Sequence, residues 1–90
     1  MTVISVHEDS HGLLCVAKDY QSAVMWLVCN DWLCDNLDVC CDTDTDEWHS
    51  LKDLLGEDWA DTIAEKWDVC NFNYFFDGYF RLEEIDVVGS

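Results

Sequence analysis

Val3-Ile4-Ser5-Val6-His7-Glu8-Asp9-Ser10-His11-Gly12-Leu13-Leu14-Cys15-Val16-Ala17 decides the fold class. Two apolar, β-branched runs flank turn chemistry at Glu8-Asp9-Ser10-His11-Gly12, so residues 2–18 predict a β-hairpin. At the far end, Tyr79-Phe80-Arg81-Leu82-Glu83-Glu84-Ile85-Asp86-Val87 predicts a closing strand. Phe80, Leu82, Ile85 and Val87 can all point inward only if a bulge near Glu83-Glu84 shifts the alternation.

The chain between these strands predicts helices. Asp19 is a good N-cap for a helix over 20–31. Tyr20, Ala23, Val24, Leu27 and Val28 form its main face, and Met25, Trp26 and Cys29 widen the apolar surface enough to predict central burial. Leu37, Val39 and Cys41 alternate with Asp38, Cys40 and Asp42 as a short half-buried strand. An acidic loop over 42–47 follows. Ser50-Leu51-Lys52-Asp53 is a capping box opening a short helix that Gly56 ends. Trp59, Ile63 and Trp67 recur on one face of the next helix. Phe72, Tyr74, Phe75 and Phe76 make an aromatic knot on a helical turn. With strands at both ends and helices between, residues 1–90 predict a single α+β domain, a small antiparallel sheet packed against about three helices.

Composition narrows the function. Half of the residues are hydrophobic and five are Trp, too apolar for a disordered acidic tail. Twenty Asp and Glu oppose four Lys and Arg, for a net charge of -16. A folded chain of this mass exposes roughly 5,400 Å², or roughly 340 Å² per net charge. Duplex DNA, with one charge per ~1.7 Å of axis, has about 100 Å² per charge. Such a chain is repelled by nucleic acid and anionic membrane and attracted to a basic protein surface. No basic segment followed by an apolar run marks export, so a cytosolic setting with reduced thiols is expected.

Cys29, Cys34, Cys40, Cys41 and His49 lie within one short stretch and could supply the four tetrahedral ligands of a structural zinc. His7, His11 and Cys15 on the hairpin are a rival set. Buried cysteines acting as small hydrophobes are the competing reading, well suited to Cys15, Cys29 and Cys41. Asp42, Asp44 and Asp46 match the first three ligand positions of an EF-hand calcium loop, with Ser50 and Asp53 further on. Glu47 replaces the turn glycine and Asp53 the bidentate glutamate, so calcium is not expected. No cysteine carries a nucleophile signature and no glycine-rich phosphate loop exists, so catalysis is not expected either.

The acids run together instead. Asp31, Asp35, Asp38, Asp42, Asp44, Asp46 and Glu47 lead into Asp53, Glu57, Asp58, Asp61, Glu65 and Asp68. Like charges at helical i, i+4 spacing, such as 57/61/65, destabilise a helix by a few tenths of a kcal/mol per pair, roughly the gain of an opposite pair reversed. Solubility needs a net charge of only about 2–8 in magnitude. The excess points to steering toward a cationic partner, with Trp32 or Trp48 as an aromatic anchor.

In its acidic stretch 31–47 and acidic helix 57–68, on one small domain, the chain resembles the acidic proteins that bacteriophages and mobile elements make to disable CRISPR nucleases. That resemblance implies a stoichiometric inhibitor in the host-cell cytosol that binds a CRISPR effector nuclease. It would occupy the basic groove meant for DNA or prevent target loading. Immunity proteins against nuclease toxins are similar in size and charge and imply the same mode of action. A metal-binding interaction module is the third reading.

Overall fold

In antiparallel sheets, residues facing each other across two strands share a face, and that rule orders this molecule. The protein's structure, a computed structural model, describes residues 2–42 and 47–87, with the backbone alone at 41 and 42. The chain runs β1 (Thr2–Glu8), β2 (Gly12–Ala17), α1 (Tyr20–Cys29), β3 (Asp38–Asp42), β4 (Glu47–Ser50), α2 (Leu51–Leu55), α3 (Trp59–Lys66), α4 (Val69–Phe75) and β5 (Phe80–Asp86). It is α+β, as the order of predicted elements requires.

The terminal strands form one antiparallel sheet in the order β2-β1-β5. Ile4 and Val6 of the central strand face Glu84 and Leu82, and Glu8 faces Phe80. Ile4, Val6, Phe80 and Leu82 are buried against the helices. The β1–β5 register is uninterrupted, which corrects the expected bulge near Glu83-Glu84. Strict alternation therefore sends Ile85 to the outer face, where it is 42% exposed, and Val87 is 41% exposed. The irregularity lies in the hairpin. Val6 pairs with Cys15 and His7 with Leu13, so Leu14 is an extra residue in β2. That bulge puts Leu13 and Val16 on the same outer face, opposite His7 and Ser5.

Asp19 caps α1 by accepting the Ser22 N–H at 2.7 Å. Ala23, Val24 and Leu27 are buried, but Met25 and Cys29 are exposed. The helix therefore covers the sheet with one side and is not centrally buried. Its end is closed by two bonds, Asp31 N–H to the Val28 carbonyl at 3.2 Å and Trp32 N–H to the Leu27 carbonyl at 2.9 Å. This is a Schellman turn, with Asp31 at the left-handed position, φ 61°. The chain then folds back and buries Leu33.

A second, two-stranded sheet joins β3 to β4. β4 falls where the acidic loop is expected to give way to the capping box. Its sequence, Glu-Trp-His-Ser, lacks the β-branched run that announces a strand. Cross-strand pairing with Val39 and Cys40 holds it. Ser50 caps α2 through the Asp53 N–H at 3.1 Å, and Gly56, φ 88°, ends it. The Tyr20 hydroxyl donates to the Ile63 carbonyl at 2.7 Å and ties α1 to α3. Asp68 caps α4 through the Asn71 N–H at 2.8 Å. Phe72 and Phe76, one turn apart, are fully buried with ring centroids 4.4 Å apart.

Candidate partner-binding surface

The folding of β3, β4 and α2 gathers acids from separate parts of the chain. The Asp35 carbonyl accepts the Lys52 N–H at 3.2 Å. Asp38 lies opposite Ser50, and Ser50 caps α2 at Asp53. Asp35, Asp38 and Asp53 thus surround one end of α2. The turn at Gly56 leads directly to Glu57 and Asp58, and Asp61 and Glu65 follow one turn apart on α3. Asp31, Asp35, Asp38, Glu47, Glu57, Asp58, Asp61 and Glu65 are all exposed. The side chain of Asp42, together with Asp44 and Asp46, lies outside the described residues, and so does the EF-hand-like pattern they begin.

Counter-charge is almost absent. Among the described residues, Arg81 is the only Lys or Arg in an ion pair, 2.7 Å from Glu83. Lys18, Lys52 and Lys66 are exposed and make none with a described residue. Asp31, Asp35, Asp38, Glu57, Asp58, Asp61 and Glu65 likewise make no ion pair among the described residues. A few acids elsewhere are occupied. The Glu8 carboxyl is held below its ordinary range, chiefly by the His11 side chain. The Asp19 carboxyl is lowered by the Ser22 N–H it caps. Burial, with the charge of Asp68, pushes the Tyr20 hydroxyl well up, and burial raises the Cys15 thiol.

Among the described residues, the predicted zinc ligands Cys29, Cys34, Cys40 and His49 are not brought together. Cys40 pairs with Trp48 and His49 with Val39, so the pleat sends Cys40 and His49 to opposite faces of the ribbon. Cys29 is exposed at the end of α1, and the Cys34 thiol donates to Asn36 Oδ1 at 2.6 Å. The Cys41 side chain lies outside the described residues. The hairpin set is split too, since Cys15 faces inward with Val6 while His7 lies on the outer face. Among the described residues, no three of His, Cys, Asp and Glu converge as metal ligands would. On the sheet's outer face, Ser5 Oγ lies 2.9 Å from His7 Nε2 and Glu83 lies 3.8 Å from the same nitrogen. A hydrolytic relay needs the acid on the other ring nitrogen and an accessible hydroxyl, whereas Ser5 is 2% exposed.

Two exposed aromatic side chains stand beside the β3–β4 ribbon. Trp48 and Tyr74 are each 54% exposed, and with Cys40, Asn73, Phe75 and Asp77 they line a hollow of about 330 Å³. The Trp48 ring also meets Tyr79 edge-on, centroids 6.2 Å apart. Trp32, the other predicted anchor, is half-buried between His11 and Phe80. Tyr74, which the sequence assigns only to the aromatic knot, and Asp77 are absent from the predicted partner-binding residues. The signal was present: Phe72 and Phe76 fix the inward side of α4, and a residue two positions from Phe72 must point away. Compared with protein-family models, curated proteins and solved structures, the chain matches none.

Proposed function

We infer that the protein is a stoichiometric inhibitor of anti-CRISPR type, which binds a basic nucleic-acid-handling surface of a CRISPR effector nuclease and occludes it without catalysis. The observation that carries this reading is the set of exposed carboxylates Asp35, Asp38, Glu57, Asp58, Asp61 and Glu65, none of which is in an ion pair with Lys or Arg among the described residues. The dimensions support it. The Cα frame measures 45 × 24 × 22 Å. Its two short axes are close to the width of a DNA duplex, about 20 Å. Sixteen net charges over 45 Å give one per about 2.8 Å of length, against ~1.7 Å for duplex DNA. A basic groove therefore meets an elongated body, somewhat wider than a duplex once side chains are added to the Cα frame, with more than half the linear charge. Trp48 and Tyr74 supply the apolar anchors that a purely electrostatic contact lacks.

The test is a titration of DNA cleavage by purified effector nucleases, with association followed in parallel. Inhibition should saturate at equimolar protein, and the association rate should fall steeply as salt rises to 0.5 M. The variant Asp35→Asn/Asp38→Asn/Glu65→Gln should lower the association rate by about tenfold while leaving the unfolding midpoint at or above that of the wild type. A salt-independent association rate, or full association by that variant, would sink the reading. If no effector binds, a pull-down from host lysate that recovers no basic nucleic-acid-handling protein does the same.

A further inference from the structure

The two edges of the three-stranded sheet are treated differently. β2 is bulged at Leu14, which twists an edge out of plane and discourages pairing. β5 is regular throughout. At Leu82, both backbone groups of β5 turn away from β1 and are met by Asn73 of α4. The Asn73 amide donates to the Leu82 carbonyl at 2.9 Å, and the Leu82 N–H donates to Asn73 Oδ1 at 2.8 Å. The Phe80 N–H is likewise taken by the Phe76 carbonyl at 2.9 Å. Alternation along an unbroken register makes Glu84 and Asp86 the next residues whose N–H and C=O point outward. These four groups have no partner among the described residues. α4 thus closes the first half of the β5 edge and leaves residues 84–87 open.

We propose that this open run accepts an extended basic segment of the partner as a fourth strand of the sheet. The proposal rests on the reading of a cationic partner and specifies how part of that partner is held. Main-chain bonds to Glu84 and Asp86 would give the pairing, and the side chains select the sequence. Glu84 and Asp86 lie on one face, Ile85 on the other with Val87 beside it. A matching strand therefore alternates cation and apolar residue, with Lys or Arg across from Glu84 and Asp86 and a branched apolar residue across from Ile85. The same acids exclude a second copy. Antiparallel self-pairing centred on Ile85 would set Glu84 opposite Asp86 of the other chain, and like charges directly opposed are destabilising.

The probe is the labelled peptide acetyl-Lys-Val-Arg-Val-Lys-Val-amide, with acetyl-Lys-Lys-Arg-Val-Val-Val-amide as the control of equal charge. Binding to the whole protein is read by anisotropy and by amide hydrogen exchange. The alternating peptide should bind at least about fivefold more tightly than the control and slow exchange at Glu84 and Asp86. Glu84→Pro removes an outward N–H that takes no part in the β1 ladder together with the Glu84 carboxylate, so it is compared with Glu84→Gln, which loses the charge but keeps the N–H. Relative to Glu84→Gln, Glu84→Pro should weaken the peptide by about five- to tenfold, the worth of the one lost bond. Glu84→Arg/Asp86→Arg tests the same point without a proline and should abolish the preference. Equal binding of both peptides with protection elsewhere would overturn strand addition and leave the acidic-surface reading standing. Failure of both peptides to bind would overturn strand addition too, while the nuclease titration still decides the inhibitor reading.

Discussion

Replacing Asp31 with glycine should stabilise the protein, an uncommon direction for a single change. Asp31 is the left-handed residue of the turn that ends α1, φ 61°. An L-residue there carries a penalty of roughly 1–2 kcal/mol, which glycine escapes. Glycine's looser unfolded chain offsets about 0.5–1 kcal/mol of that relief. A carboxylate at a helix C-terminus also faces the negative end of the helix dipole, an opposition of about 0.3–1 kcal/mol. Together these give Asp31→Gly about 1–2 kcal/mol of added stability. For 90 residues that raises the melting temperature by about 5–10 °C. It raises the urea midpoint by about 0.5–1 M. Urea unfolding followed by tryptophan fluorescence is the assay. Asp31→Asn removes the charge but keeps a side chain in the left-handed region, so it should recover only part of the gain. A midpoint for Asp31→Gly at or below wild type would refute both the left-handed geometry and the dipole argument.

Tyr20→Phe deletes the hydroxyl that meets the Ile63 carbonyl and should lower stability by about 1–2 kcal/mol; an unchanged urea midpoint would show that this bond is not kept in solution. Asp19→Asn keeps a capping oxygen but cannot ionise. Because the folded Asp19 carboxyl titrates below its unfolded value, its contribution is complete above the unfolded pKa and is lost as pH falls through the folded one. The stability gap between wild type and Asp19→Asn should therefore be widest near neutrality and close below about pH 4, and a gap constant from pH 7 to pH 3 would contradict the charge-assisted cap.

Local chemistry written in the sequence translated well into structure. Asp19, Ser50 and Gly56 mark helix ends because capping depends on residues a few positions apart, and each occupies the position its chemistry predicts. The hairpin and the closing strand follow from alternation of the same kind. What failed depended on partners distant in the chain. The apolar breadth of α1 suggested burial on all sides, yet Met25 and Cys29 face solvent because only one sheet and one neighbouring helix pack on it. Ile85 looked like a core residue because it is apolar, but an unbroken pairing with β1 gives it the outer face. β4 was hidden because its stability comes from Val39 and Cys40 across the ribbon. Proximity along the chain groups Cys40 with His49, and the pleat that separates these two cannot be seen without the pairing. At the candidate surface the acids themselves were legible, while Tyr74 was masked by its aromatic neighbours.

The acids divide by what the fold does with them, and that division sharpens the surface. Asp19, Ser50 with Asp53, and Asp68 serve helix N-termini, and Asp58 and Asp61 also lie where the dipole favours negative charge. These residues have a structural reason to be acidic even in a protein that binds nothing. Asp31 opposes the end of α1, Glu65 lies in the last turn of α3, and Asp38 begins a strand, where aspartate is disfavoured. Among the described residues, Asp35 makes no ion pair and takes part in the fold through its backbone carbonyl. Local stability argues against acids at three of these four positions and is indifferent at the fourth. Their presence is best explained by attraction to something outside the chain, because a uniform demand for solubility could be met at positions where charge does no harm. Asp31, Asp35, Asp38 and Glu65 are therefore the residues to neutralise when testing for a basic partner, and Asp53, Asp58 and Asp61 are the ones whose loss would confuse binding with unfolding.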